Sequence, residues 1–192
     1  MRRSSKEDTQ APLVDGGSKP TPSLQDYTIR IVPDKDAARW ARWYHYLHRA
    51  RTSRVLSYGI FLGEELEGFI TYAHPATTSV LGLNSEVLEF ARLFLFHNIP
   101  NMASRFISLT RRWIRRDWVK KFPGAATPVC IVSWSDTTRH EGTIYKASGF
   151  KAIGLSKEGK WGKWGDRTRS GPRKDYLDGS HPKEKYIYWW NE

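Results

Sequence analysis

Four residues of this chain have types and settings that suit proton transfer or anion recognition: Asp136, Tyr145, Arg92 and His45. Asp136 stands just past an apolar, strand-like run from Pro128 to Trp134, inside the stretch "SWSDTTRHEGTIYKASGF" that spans Ser133 to Phe150. A carboxylate there can accept a proton or a hydrogen bond. It can equally cap the helix that follows. Tyr145 lies one helix later, shortly before Gly149 and Phe150. Its hydroxyl can donate a proton, or its ring can pack on the inner face of that helix.

Arg92 sits among apolar residues in "EFARLFLF". Strand alternation places Phe90, Arg92, Phe94 and Phe96 on one face and Ala91, Leu93 and Leu95 on the other. A cation on an aromatic surface requires a partner. An anionic ligand, Asp136, or a structural pair with Glu86 or Glu89 would each serve. His45 and His48 are three apart on the first expected helix and share a face. That spacing lets two imidazoles share a metal if Asp136, His97 or His140 joins them; otherwise they are surface or packing residues. Cys130, inside "PVCIVSW", reads as a buried structural thiol, and a lone cysteine excludes an internal disulfide.

These residues must be positioned by a folded unit. Residues 1–24 are rich in Pro, Gly, Ser and charge and read as a flexible basic tail, leaving residues 25–192 as a single domain. "YTIRIV" alternates as a strand, and "DKDAARWARWYHYLHRA" reads as a helix to residue 50 with acidic residues in its first turn. Two short strands follow around Gly63, Glu64 and Glu65, then a long strand from Ser85 to Phe96. "MASRFISLTRRWIRRDWVKK" is a helix with Phe106, Ile107, Thr110, Trp113, Ile114 and Trp118 near one face. The strand at 128–134, a helix at about 138–148, the strand "FKAIG", a basic Trp- and Gly-rich loop at 155–182 and the strand "KYIYWW" complete the chain. The expected fold class is mixed α/β, in the order β, α, β, β, β, α, β, α, β, β.

The 192 residues carry 31 Lys and Arg against 20 Asp and Glu, a formal net charge of +11. A polyanionic partner such as nucleic acid fits that balance. In "TRRWIRRDWVKK" and "KEGKWGKWGDRTRSGPRK" cations alternate with tryptophan, which suits phosphate contact combined with base stacking. Arg112, Arg116, Trp161 and Trp164 are the candidate DNA-binding residues there, with Gly162 and Gly165 letting the loop adapt. No segment reaches the roughly 18 apolar residues of a membrane-spanning helix, and the start lacks a signal-peptide pattern. A soluble, cytoplasmic protein is expected, and nothing in the chain sets its oligomeric state.

The order of elements resembles the acyl-CoA-dependent N-acetyltransferase fold, GNAT: a mixed, mostly antiparallel sheet flanked by helices. The resemblance implies acetyl-CoA or a related acyl-CoA as cofactor. It also implies that Tyr145, before Gly149 and Phe150, lies near the departing thiolate. The family's glycine-rich turn is replaced here by "NIPNMASR", so Ser104 and Arg105, at the start of a helix, become the cofactor-binding candidates with Arg92.

A narrower resemblance spans Tyr44 to Gly154. "HYLHR", "YGIFLGEELEGFITY", "EFARLFLFHNIPNMASRFIS" and "VSWSDTTRHEGTIYKASGF", in that order, resemble the Mom family of phage DNA-modification proteins. This likeness implies conversion of adenine in double-stranded DNA to an N6-carbamoylmethyl derivative, which protects phage DNA from restriction in the host cytoplasm. With such a substrate, the alternative to a metal at His45 is that His45 and Tyr46 line the adenine pocket, where a ring can stack on the base, and Asp136 can accept a proton from, or a hydrogen bond of, the adenine amino group. Two alternatives stand beside this likeness: an ordinary N-acetyltransferase acting on a small amine or a protein, and a basic DNA-binding module without catalysis.

Overall fold

The computed structural model describes residues 22–51, 53–75, 87–138, 140–155 and 183–190. Most of the tail, Glu86, and the basic loop with Trp161, Gly162, Trp164 and Gly165 lie outside the described residues. The elements are β1 (Tyr27–Val32), α1 (Asp34–Trp43), β2 (Val55–Leu62), β3 (Glu65–Ala73), β4 (Val87–Leu95), α2 (Met102–Lys121), β5 (Cys130–Asp136), α3 (Thr143–Ala147), β6 (Lys151–Leu155) and β7 (Lys183–Trp189). Their order is the expected one. They form one seven-stranded sheet, β1-β2-β3-β4-β5-β7-β6, in which β4 and β5 run parallel and every other pair is antiparallel.

One face of the sheet packs on α2. Leu56, Tyr58, Ile70, Tyr72, Leu88 and Phe90 meet Met102, Phe106, Ile107, Ile114 and Trp118 in a single cluster. Those helix residues recur at spacings of three and four, so one stripe of α2 is apolar and buried. Two polar residues join the stripe, and both are satisfied. Thr110 Oγ1 lies 2.9 Å from the Tyr72 hydroxyl, and Asp117 accepts a 2.8 Å hydrogen bond from Tyr58. The opposite face takes α1, where Val32, Ala37 and Phe61 form a smaller cluster beside Trp40.

The structure corrects three expectations. First, α1 ends at Trp43 instead of continuing to residue 50. Tyr44 turns onto β4, stacking on Phe94 at 5.6 Å, and His48 adopts a left-handed φ of 46°. Rings on β4 and a buried place for His45 hold this segment better than further helical turns facing water. Second, α3 is shorter than expected and starts at Thr143, after a left-handed Gly142. Third, β5 runs to Asp136, which pairs with Lys183 and so ends the strand rather than following it.

Among the described residues no helix is long and apolar enough to cross a membrane.

Candidate active site

The sheet splits between β4 and β5. Their parallel pairing covers only Val87, Leu88 and Glu89 against Cys130, Ile131 and Val132. Beyond that β4 keeps β3 as its neighbour, β5 keeps β7, and the two diverge into a cleft. A β-bulge sits at its root. Tyr72 pairs with Phe90 and Thr71 with Arg92, so Ala91 is the extra residue. The bulge also overturns the alternation expected for β4. Phe90 turns toward α2 and α3, whereas Arg92 shares the α1 face with Phe94 and Phe96.

The α3 side of the cleft carries Tyr145. Its ring stacks on Tyr186 at 4.6 Å and meets Phe90 and Phe150 edgewise. Ser133 Oγ, buried on β5, lies 3.0 Å from both the Phe90 carbonyl and the Tyr145 hydroxyl. Ser133 Oγ is the donor in both contacts and shares its one proton between the two oxygens, so Tyr145 accepts from the serine and its own proton is not spent on it. Burial, opposed by the Ser133 hydrogen bond and helped slightly by Tyr46, raises the Tyr145 phenol to about 12, so it keeps its proton at neutral pH. Sequence reasoning missed Ser133. The available signal was strand alternation, which puts Ser133 and Ser135 on the α3-facing side of β5. Among the described residues Ser135 Oγ is buried there without a hydrogen-bond partner.

The α1 side carries His45, Tyr46 and Arg92. His45 is buried, and its ring stacks on Tyr46 at 4.5 Å; Tyr46 in turn meets the His140 ring at 6.1 Å. Burial first, and then the charges of Arg92, His48 and His140, lower the His45 pKa to about 3. The imidazole is therefore neutral at physiological pH. Its Nδ1 accepts a hydrogen bond from the Leu47 N–H at 3.2 Å, which places the ring proton on Nε2. His45 is thus a hydrogen-bond donor and not a base. Arg92 donates from Nε to the Arg49 carbonyl at 3.2 Å and from a terminal nitrogen to the Ala91 carbonyl, fastening the 45–50 segment to the bulge. Glu89, one of its expected structural partners, binds Arg51 at 2.6 Å.

Asp136 stands at the end of β5, with Oδ1 accepting from the Thr138 N–H at 3.1 Å and the Thr138 hydroxyl at 2.6 Å. Its capping role is realised in this turn and not in α3. Ser104 lies in the first turn of α2 and is tied to α3, because Ser148 Oγ donates to its carbonyl at 3.4 Å. The left-handed residue that a glycine would supply at this helix start is Asn101, with a φ of 63°. Arg105 is exposed, about 100° further round the helix. It edges a cavity of about 240 Å³ with Tyr27, Ile60, Met102 and Phe106, on the flank of α2 toward β1 and β2. Ser104 and Arg105 therefore do not converge. Arg112 and Arg116 are exposed roughly three and four turns along α2, and Arg116 binds Asp117 at 2.9 Å.

His45 and His48 do not share a helix face, since α1 has ended before both. His97 is held by Glu67 at 2.6 Å. Among the described residues no three His, Cys, Asp or Glu side chains gather as a metal site.

The architecture matches solved acetyltransferases of the GNAT class. The yncA protein of Salmonella typhimurium, with its cofactor acetyl-CoA, aligns over 87% of this chain and 95% of its own at 11% identity, with a TM-score of 0.55. A GNAT-family acetyltransferase from Streptococcus pneumoniae aligns over 86% and 99% at 10% identity, with a TM-score of 0.53. The aminoglycoside acetyltransferase AAC(6')-Ib in complex with coenzyme A aligns over 85% and 94% at 11% identity, with a TM-score of 0.51. The fold is therefore the GNAT fold. No curated protein matches the chain by sequence. The sequence pattern of the Mom protein family matches residues 26–172, and the chain belongs to that family.

Proposed function

We propose that this protein modifies the N6 amine of adenine in duplex DNA on an acyl-CoA-dependent transferase scaffold. Acyl transfer forms the bond from N6 to the carbonyl carbon as the thioester C–S bond breaks. The carbamoylmethyl-type derivative that shields phage DNA from restriction takes its amide nitrogen from a further nitrogen-bearing donor, since a plain acetyl group carries none. One observation carries the reading. A cleft opens through the sheet with a protonated tyrosine on one wall and a neutral imidazole, a phenol and a guanidinium on the other, in a family member with a formal net charge of +11.

The residues present suit an acyl-CoA. Among the described residues no strand pairs with the β5-facing edge of β4 past Glu89, so backbone groups beyond the Phe90 carbonyl, which Ser133 holds, can pair with an extended amide-bearing arm. Ser135 offers a buried hydroxyl that lacks a partner among the described residues, and the start of α2 at Ser104 presents backbone N–H groups suited to phosphate. Structural relatives bind this cofactor class: the Salmonella protein holds acetyl-CoA and the aminoglycoside enzyme coenzyme A. Bound there, an acyl-CoA supplies an activated carbonyl and a thiolate leaving group.

The chain supplies the rest. Tyr145 holds at its hydroxyl the proton that a leaving thiolate needs, and Ser133 fixes that hydroxyl's direction. Asp136, oriented by Thr138, accepts from the amine. His45 donates from Nε2, and Tyr46 gives a base a ring to stack on. An amine paired inside a duplex is out of reach, so the nucleotide must first leave the stack.

Expression in bacteria, digestion of cellular DNA to nucleosides and mass comparison with an Asp136→Asn control test this reading. A new adenine nucleoside heavier by a carbamoylmethyl unit, absent from the control, is expected. An acetylated small amine or protein with unaltered DNA would identify an ordinary N-acetyltransferase. Unaltered DNA together with duplex binding and no acyl-CoA binding would identify a non-catalytic module.

A further inference from the structure

Four large aromatic or apolar side chains stay exposed next to the α1 wall of the cleft: Trp43 at 61%, Tyr44 at 39%, Tyr46 at 38% and Phe96 at 39%. Apart from Tyr46, no role described so far uses them. They form a connected surface. Tyr44 meets Trp43 at 6.3 Å, Phe94 at 5.6 Å and Phe96 at 4.8 Å. Phe94 continues inward to Phe69 at 6.1 Å, and Phe69 to Trp40 at 6.0 Å, so the outer rings are braced from the core. Braced rings lose little side-chain freedom when a ligand covers them. Ile31, Ile153, Leu155 and Trp189 are exposed elsewhere, but exposed rings that touch one another, as these do, mark a binding surface.

Charge selects the occupant. Arg39, Arg42 and Arg49 are exposed on the same stretch of chain; the Arg39 guanidinium, paired with Asp36 at 3.1 Å, lies 5.4 Å from the centre of the Trp43 ring, and Arg42 directly precedes Trp43. Aromatic faces edged by arginine suit bases and phosphates together. A plain apolar protein partner has no use for that cationic edge. The position agrees, because Phe94 and Phe96 follow Arg92 on the same face of β4 and Tyr44 directly precedes His45.

We propose that the surface of Trp43, Tyr44 and Phe96, edged by Arg39, Arg42 and Arg49, seats duplex DNA beside the cleft and stacks on bases left exposed when the target nucleotide leaves the helix. This rests on the DNA-modifying reading above and moves the nucleic-acid contact from the far turns of α2 to the mouth of the cleft.

The test is binding of a fluorescent duplex oligonucleotide across a salt series, with acyl-CoA binding measured in parallel. Trp43 is mostly exposed, so Trp43→Ala should fold normally. It should weaken duplex binding by at least about fivefold while acyl-CoA affinity stays that of the wild type. The double variant Arg42→Gln, Arg49→Gln should flatten the slope of log affinity against log salt by about 2. Wild-type affinity and slope in both variants would overturn the proposal and leave the DNA reading standing. A wild-type protein that does not bind duplex DNA would overturn both. A changed oligomeric state in Trp43→Ala with unchanged DNA affinity would make the surface a contact between copies of the chain, and the proposal would fail.

Discussion

Tyr145, Ser133 and the Phe90 carbonyl form a short chain of hydrogen bonds, and its members have separable effects. Tyr145→Phe should leave a folded protein that still binds duplex DNA but modifies adenine at least about a hundredfold more slowly, in line with the usual contribution of one general acid. Ser133→Ala keeps the acid and loses its direction, so a milder fall in rate with unchanged DNA affinity is expected; full activity in both variants would remove the assigned roles. His45 makes a pH prediction. Its folded pKa of about 3 lies below the usual value of 6.5, so between these values the unfolded chain holds a proton that the folded chain lacks. Stability is therefore greatest above the unfolded pKa and falls as pH drops through that window. Melting curves from neutral pH down to about pH 4 should show a steeper loss of Tm for wild type than for His45→Gln. Tyr145 was legible because it precedes a glycine and an aromatic in a recognisable pattern. Ser133 was not, since a serine in a strand has no signature until its partner is placed across from it.

At the scale of elements, the splitting of the sheet depends on where backbones turn. Gly142 has a φ of 71°, and a side chain there would collide with the Tyr186 hydroxyl. Two independent costs fall on one position, backbone strain and displacement of a buried ring. Gly142→Ala should lower stability by about 2 kcal/mol, read as a drop in Tm of several degrees, and should lower activity because α3 carries Tyr145. The order of elements and the span of α2 could be read from periodicity, as α2 buries a stripe that repeats at three and four. The end of α1 could not. Residues 44–50 continue a plausible helical pattern, and the ring of Phe94 on distant β4, that of Phe96 just past its end and a buried place for His45 draw the segment away from it. The bulge at Ala91 was equally hidden, because strand alternation assumes that no residue is skipped.

Across the whole molecule, 31 basic residues against 20 acidic ones set the terms of any encounter with DNA. Affinity for duplex DNA should fall linearly on logarithmic axes as salt rises, by about 0.9 per phosphate contacted, and a flat response in a titration would count against a DNA substrate. Of the candidates named from the sequence, the structure gathers His45, Tyr46, Arg92 and Tyr145 beside the β4–β5 gap, whereas Arg112 and Arg116 lie well along α2. Charge counts alone could not separate the two groups, since they record how many cations there are and not where they point. The pairing of β4 with β5 stops after Glu89 and Val132, and the candidate residues beyond it come from both faces of the sheet, Tyr145 from the α3 side and His45 and Arg92 from the α1 side. Two reactants can then arrive and depart by separate doors. On the DNA-modifying reading, a duplex resting on one side would leave the other open for an acyl-CoA to be exchanged, so that neither would have to wait for the other to clear the way.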